Sequence, residues 1–180
     1  MKHISLHLNF LFILSLLVAV AACKSEKSKN KAFTLNVEAD IFIKDRYVIS
    51  YEEDTLNVAD LIKEGPTIFL DIPKIYCVPC IEQETNLVAR FNQRLGQNKI
   101  VVLTTFENFR DFLVFRNTLP GDIPCYNKLG IDSSNISIPI YCIVEPSIYK
   151  VGGICYVQKN KIEASEEFLS LAIEKYYGLK

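Results

Sequence analysis

The chain has 180 residues, a formal net charge of −1, and is 49% hydrophobic, with no tryptophan and only two histidines. A near-neutral balance gives nucleic acid no electrostatic footing, so no such partner is expected. Both histidines, His3 and His7, fall in an apolar leader. Once the leader is removed, Ser-His-Asp and Cys-His catalysis, His-ligated zinc and histidine-assisted copper sites are excluded.

The leader is residues 1–22. A short basic start, Met1-Lys2-His3, precedes an apolar run from Leu8 to Ala22, too short to span a bilayer comfortably and ending in small residues. That pattern is a secretory signal. Val20-Ala21-Ala22-Cys23 resembles a bacterial lipobox, whose cysteine is lipidated and becomes the new N-terminus. The alternative is an ordinary signal peptide followed by a chance cysteine. Several acyl chains on Cys23 would anchor the protein stably. Residues 23–32 then form a lipidated cysteine and a flexible, polar, mostly basic tether, because Lys24–Lys31 carries nothing to bury. Residues 33–180 have the length of one domain.

In chain order, apolar–polar alternation predicts strands over 33–37 and 40–50. Residues 55–62 read as a short helix stopped by Gly65-Pro66. Residues 67–71 are an apolar strand. Helical spacing of Leu87, Val88, Phe91 and Leu95 predicts a helix over 80–95, with Gly96 at its end. A β-branched strand covers 99–106, a helix 107–119, and a loop with a short helix around 126–129. Residues 138–144 and 149–157 form a hairpin about Pro146-Ser147, and 165–177 a final helix. The order implies an α/β domain: a mixed central sheet with flanking helices, a parallel start, an antiparallel finish and an N-terminal β extension.

The chemistry sits at Cys77-Val78-Pro79-Cys80, where the 67–71 strand gives way to a helix. A helix N-terminus carries partial positive charge and unpaired N–H groups, and both favour a thiolate, the reactive form of cysteine. Pro79, lacking an N–H, suits the first turn. The competing reading is a structural disulfide or half of a zinc site. Zinc would need two ligands from Cys125, Cys142 and Cys155, which come singly and without knuckle spacing. Setting Cys23 aside leaves five cysteines, so at least one thiol is unpaired within the chain.

Tyr76-Cys77-Val78-Pro79-Cys80 resembles the Trp-Cys-x-Pro-Cys of thioredoxin-like proteins, specifically membrane-anchored exported thiol–disulfide oxidoreductases of the TlpA/ResA type. The resemblance covers roughly 57–177. It extends to Asp71, six residues before Cys77, to Ile138-Pro139-Ile140 as a cis-proline loop, and to Glu145-Pro146-Ser147-Ile148-Tyr149 with Gly152-Gly153 as the hairpin after it. It implies a thioredoxin-like fold with Cys77 as the attacking and Cys80 as the resolving cysteine. Asp71 would take the Cys80 proton, and a cis Pro139 would free the backbone of Ile138 to meet a substrate chain. Tyr76, in place of Trp, would shield Cys77. Asp71 could instead be an exposed strand-end acid, Pro139 an ordinary trans edge proline, and Tyr76 an exposed aromatic. A carboxylate at Asp71 is costly unless hydrated or partnered.

For the remaining cysteines, a turn centred on Pro146-Ser147 would set residue 142 near residue 151. Cys155 is then out of disulfide reach unless Gly152-Gly153 bulges. Cys142 and Cys155 are therefore expected as buried free thiols, and Cys125 as an exposed or half-buried loop thiol.

These readings converge on an exported, lipid-anchored enzyme that reduces disulfides of other envelope proteins. Its partners are disulfide-bearing clients, a thiol donor and a membrane, with the outer membrane expected and the domain facing the periplasm or exterior. No cofactor and no metal are implied. The alternative is a non-catalytic thioredoxin-fold lipoprotein that binds a partner protein or metal, with Cys77–Cys80 a structural bond. A thiol peroxidase would want a Thr and Arg setting that the motif lacks.

Overall fold

The computed structural model describes residues 33–35, 46–73, 78–96, 98–129, 138–146 and 150–179. Cys23, Tyr76 and Cys77 lie outside them, as does most of the strand expected over 40–50. Everything described belongs to one compact unit, Ala32–Lys180.

The strands are β1 (Phe33–Leu35), β2 (Tyr47–Ile49), β3 (Thr55–Asn57), β4 (Thr67–Ile72), β5 (Ile100–Thr104), β6 (Cys125–Lys128), β7 (Ile140–Glu145) and β8 (Lys150–Tyr156). The helices are α1 (Val58–Leu61), α2 (Val78–Leu95), α3 (Phe109–Arg116) and α4 (Ile162–Tyr177). One sheet runs β1-β8-β7-β4-β5-β6-β2-β3. β4/β5 and β5/β6 are parallel, joined through α2 and α3, and the other pairs are antiparallel. This is the mixed α/β architecture expected from the order of the segments.

Strands β4 and β5 are buried at every position, as befits central strands covered on both faces. Alternation divides them between two cores. Ile68, Leu70, Ile72, Ile100, Val102, Tyr141 and Ile143 pack with Leu87, Val88 and Phe91 of α2, Phe112 of α3, and Phe168, Leu169 and Ile173 of α4. The intervening positions, Phe69, Val101, Leu103, Cys142 and Val144, pack on the other face with Val48, Val58 and Ile62. Buried Asn92 ties the two layers' ends together: its Nδ2 donates to the Ile100 carbonyl and its Oδ1 accepts from the Ile100 N–H, each at 2.9 Å.

Three expectations need correction. The helix expected around 126–129 is strand β6, in which Cys125 and Asn127 alternate with half-buried Tyr126 and Lys128. Pairing with β5 on one side and β2 on the other supplies backbone partners that a four-residue isolated helix could not. The helix over 55–62 is shorter, because Thr55–Asn57 extends as β3 against β2. Asn57 then caps α1, its Oδ1 accepting from the Ala59 N–H at 2.8 Å. Finally, the hairpin register sets Cys142 opposite Ile154, not near 151. A bulge between Ile143 and Val144 absorbs the difference: Ile143 opposes Gly153 and Val144 opposes Val151, leaving Gly152 as the extra residue. A Cβ at Gly152 would collide with the Tyr176 hydroxyl and lie 2.9 Å from Glu145 Oε1, so a larger residue there would force those two side-chain ends to shift.

Candidate functional site

The site is built at the sheet end where β4 hands the chain to α2. Val78, Pro79 and Cys80 are the first three residues of α2. Pro79 is exposed and Cys80 half-buried. Proline loses nothing here, since first-turn N–H groups have no partner inside the helix. The helix begins two residues earlier than expected, which sets Cys80 inside the first turn. It heads the buried row of α2, with Glu84, Leu87, Val88 and Phe91 following at helical spacing.

β7 begins at the same end of the sheet. Asp71 of β4 is paired with Ile140, so Pro139 and Ile138 lie just beyond Asp71. Pro139 is buried and Ile138 is 40% exposed. The cis expectation for Pro139 is not met: among the described residues no peptide bond is cis, the Ile138–Pro139 bond included. Pro139 is a trans residue leading into the strand. Its carbonyl accepts from the Val157 N–H at 2.9 Å, extending the β7/β8 ladder by one step, and the proline's missing N–H falls where a strand-leading position tolerates it.

Asp71 is 5% exposed, and its partner is one the sequence reading missed. Lys128 Nζ donates to Oδ1 at 2.7 Å and Oδ2 at 2.9 Å. Alternation turns Asp71 to the face it shares with Phe69, while Leu70 and Ile72 face α2. Around the pair lies a small cavity of about 10 Å³ lined by Arg46, Tyr47, Phe69 and Cys142. That is room for about one water. The signal for Lys128 was a strand period in Tyr126 and Lys128, masked by reading that stretch as helical.

Cys125, Cys142 and Cys155 are free, buried thiols. Cys142 and Cys155 are free as expected, but for a different reason. Cys142 opposes Ile154 and Cys155 opposes Tyr141, so they are offset by one position and point to opposite cores. Cys125 is 3% exposed rather than a loop thiol, because it opens β6. Burial pushes the Cys125 and Cys155 thiols up to about 12, with nearby Glu84 adding to the rise at Cys155. Cys142 is raised further, by burial first and then by the Asp71 charge. All three are therefore inert thiols, whereas Cys80 is partly open to solvent.

A second acid was also missed. Glu84 is 4% exposed, on the row headed by Cys80. Tyr141 donates its hydroxyl to Oε2 at 2.9 Å, and Ser165 of α4 donates to Oε1 at 3.1 Å. Burial raises the Glu84 carboxyl above the usual range, partly offset by these two hydrogen bonds. A carboxylate three and four residues before Leu87 and Val88 stands on the apolar stripe, and that placement was readable. Among the described residues no group of three or more His, Cys, Asp or Glu side chains is arranged to hold a metal ion.

No protein-family model matches the chain, and no curated protein matches its sequence. Solved structures do match. A protein assigned as the thiol:disulfide interchange protein DsbE from Chlorobium tepidum superposes with a TM-score of 0.55 at 11% identity, covering 77% of this chain and 98% of that one. The peroxidoxin BcpB from Mycobacterium tuberculosis gives 0.53 at 10% identity, covering 75% and 96%. A thiol:disulfide interchange protein from Bacteroides sp. gives 0.53 at 9% identity, covering 78% and 90%. At these identities the likeness is one of fold, and the fold is thioredoxin-like.

Proposed function

We propose that this protein is an exported, lipid-anchored thiol–disulfide oxidoreductase that reduces disulfides of other envelope proteins through a Cys77/Cys80 dithiol–disulfide cycle. One observation carries the reading. Of the four cysteines described, Cys80 alone lies partly open to solvent in the first turn of a helix, while the other three are sealed in the cores. A helix N-terminus favours thiolate chemistry, and three buried thiols leave the Cys-x-x-Cys free of competing disulfide partners.

In the proposed cycle the Cys77 thiolate attacks a client disulfide and releases one client thiol. Cys80 then attacks Cys77 Sγ, closing the Cys77–Cys80 bond and releasing the second. A thiol donor restores the dithiol. Ile138 and Pro139, beside Asp71 at the sheet end, and Tyr76 with Pro79 would receive the client chain. Asp71 would assist resolution, its charge balanced by Lys128. The signal segment, Cys23 and the basic tether support attachment to the outer membrane with the domain on the periplasmic or outer side. The fold shared with thiol:disulfide interchange proteins supports the chemistry in general.

The test is capture. Cys80→Ser should stall the cycle as mixed disulfides on Cys77, recovered from cells and identified by mass spectrometry. Failure to capture any client, together with a Cys77–Cys80 potential below about −300 mV, would favour a structural bond and the non-catalytic alternative.

A further inference from the structure

The two buried acids near the site differ in kind. Asp71 faces an ammonium, which can satisfy only the ionised carboxylate. Glu84 faces two hydroxyls, Tyr141 and Ser165, and a hydroxyl can donate to a carboxylate or accept from a carboxylic acid. Each Glu84 oxygen takes one of these hydrogen bonds and keeps a further acceptor position. The two hydroxyls at Glu84 therefore suit both of its protonation states, whereas the ammonium at Asp71 favours the ionised one. Glu84 also stands four residues after Cys80. On a helix those positions lie one above the other on the same face.

We propose that Glu84 is the proton partner of Cys80: the carboxylate one helical turn below the thiol receives its proton as Cys80 attacks the mixed disulfide. The inference rests on the dithiol reading of Cys77 and Cys80. In the step, the Cys80 S–H proton passes to Glu84, Cys80 Sγ bonds to Cys77 Sγ, and the bond between Cys77 and the client sulfur breaks. The client leaves as a thiolate and takes a proton from water. Glu84 returns its proton to solvent or to Cys80 when the pair is reduced again. No other oxidant or reductant enters.

The titratable groups facing Glu84 from other elements are Tyr141 from β7 and Cys155 from β8, Ser165 faces it from α4, and Cys80 stands four residues before it on α2. Arg90 and Glu166 pair with each other on the exposed side of α2 and α4. Burial, with Glu84 beside them, holds Tyr141 well above its usual range and pushes the Cys155 thiol up to about 12.

Two measurements test this on the full-length chain. First, the alkylation rate of Cys80 is followed against pH in Cys77→Ser by peptide mass spectrometry, which separates the Cys80 peptide from that of Cys23. Adding Glu84→Gln removes the negative charge beneath the thiol. The pH midpoint for Cys80 should fall by about one unit, a roughly tenfold faster reaction at neutral pH. Second, the Glu84 side-chain carboxyl ¹³C resonance is titrated in Cys77→Ser, where Glu84 is untouched, so the test survives poor folding of the Gln variant. The curve should show two inflections, the second at the pH where Cys80 becomes reactive. The second should vanish in Cys77→Ser/Cys80→Ser and persist in Cys77→Ser/Asp71→Asn. A single inflection in Cys77→Ser, or an unmoved Cys80 midpoint in Glu84→Gln, overturns the proposal. Neither readout needs a client, so both stand apart from the capture experiment.

Discussion

Lys128→Met is the sharpest test of how the sheet end is held together. Lys128 and Asp71 are 11% and 7% exposed at the side chain, with both carboxylate oxygens within 2.9 Å of Nζ. At about 2.8 Å and an effective dielectric constant near 20, their attraction is roughly 6 kcal/mol before desolvation is counted. Desolvation of both ions offsets much of that, so the pair by itself adds little over a neutral substitute. Removing one partner is another matter, because the remaining charge stays buried. The expected cost of Lys128→Met is about 3–5 kcal/mol. A domain of this size has about 5–15 kcal/mol in total. With a urea slope of about 2 kcal/mol/M, the midpoint should fall by about 2 M. Asp71→Asn should also destabilise, since it leaves a buried ammonium. The double variant buries neither charge and should recover at least about 2 kcal/mol relative to the sum of the singles. The assay is urea unfolding of the four proteins at one pH. Single losses below about 1 kcal/mol, or a double variant equal to the sum, would refute the buried-pair argument.

Other outcomes follow from the same geometry. Gly152→Ala places a methyl against the Tyr176 hydroxyl and near Glu145 Oε1, and should cost about 1–3 kcal/mol. Tyr176→Phe in that background should return part of the loss in thermal melts, since it removes the hydroxyl that collides. Cys125, Cys142 and Cys155 should resist iodoacetamide at pH 8 for as long as the chain stays folded, and label together when urea unfolds it; early labelling of any one would mean that its core is open. Glu84 gives a pH dependence of defined sign. Its folded carboxyl is raised by burial, so the folded chain holds the proton more tightly than the unfolded one. That contribution is complete below the unfolded value of about 4.3 and is lost as pH rises through the folded value. The stability of Glu84→Gln relative to the parent should therefore improve between pH 4.5 and pH 8, by about 1.4 kcal/mol for each unit of elevation. A flat difference across that range would contradict the burial argument.

The sequence alone carried the short-range features. A Cys-x-x-Cys at a strand-to-helix junction, the apolar runs of β4 and β5, the α2 stripe and the hairpin are all written in local spacing, because helix and strand periods repeat within a few residues. It also indicated that a buried Asp71 would need water or a partner and that Cys142 and Cys155 would stay unpaired. What it could not give was anything set by register across the sheet. Lys128 reaches Asp71 over 57 positions of chain, and Ser165 reaches Glu84 over 81. β6 reads as a short helix until β5 and β2 supply its backbone partners. The bulge at Gly152 decides which faces Cys142 and Cys155 take, and the β7/β8 ladder carries Pro139 as a trans residue. A local pattern can say that a carboxylate is buried. Only the tertiary fold decides whether it meets an ammonium that fixes its charge, as at Asp71, or hydroxyls that accept it in either state, as at Glu84.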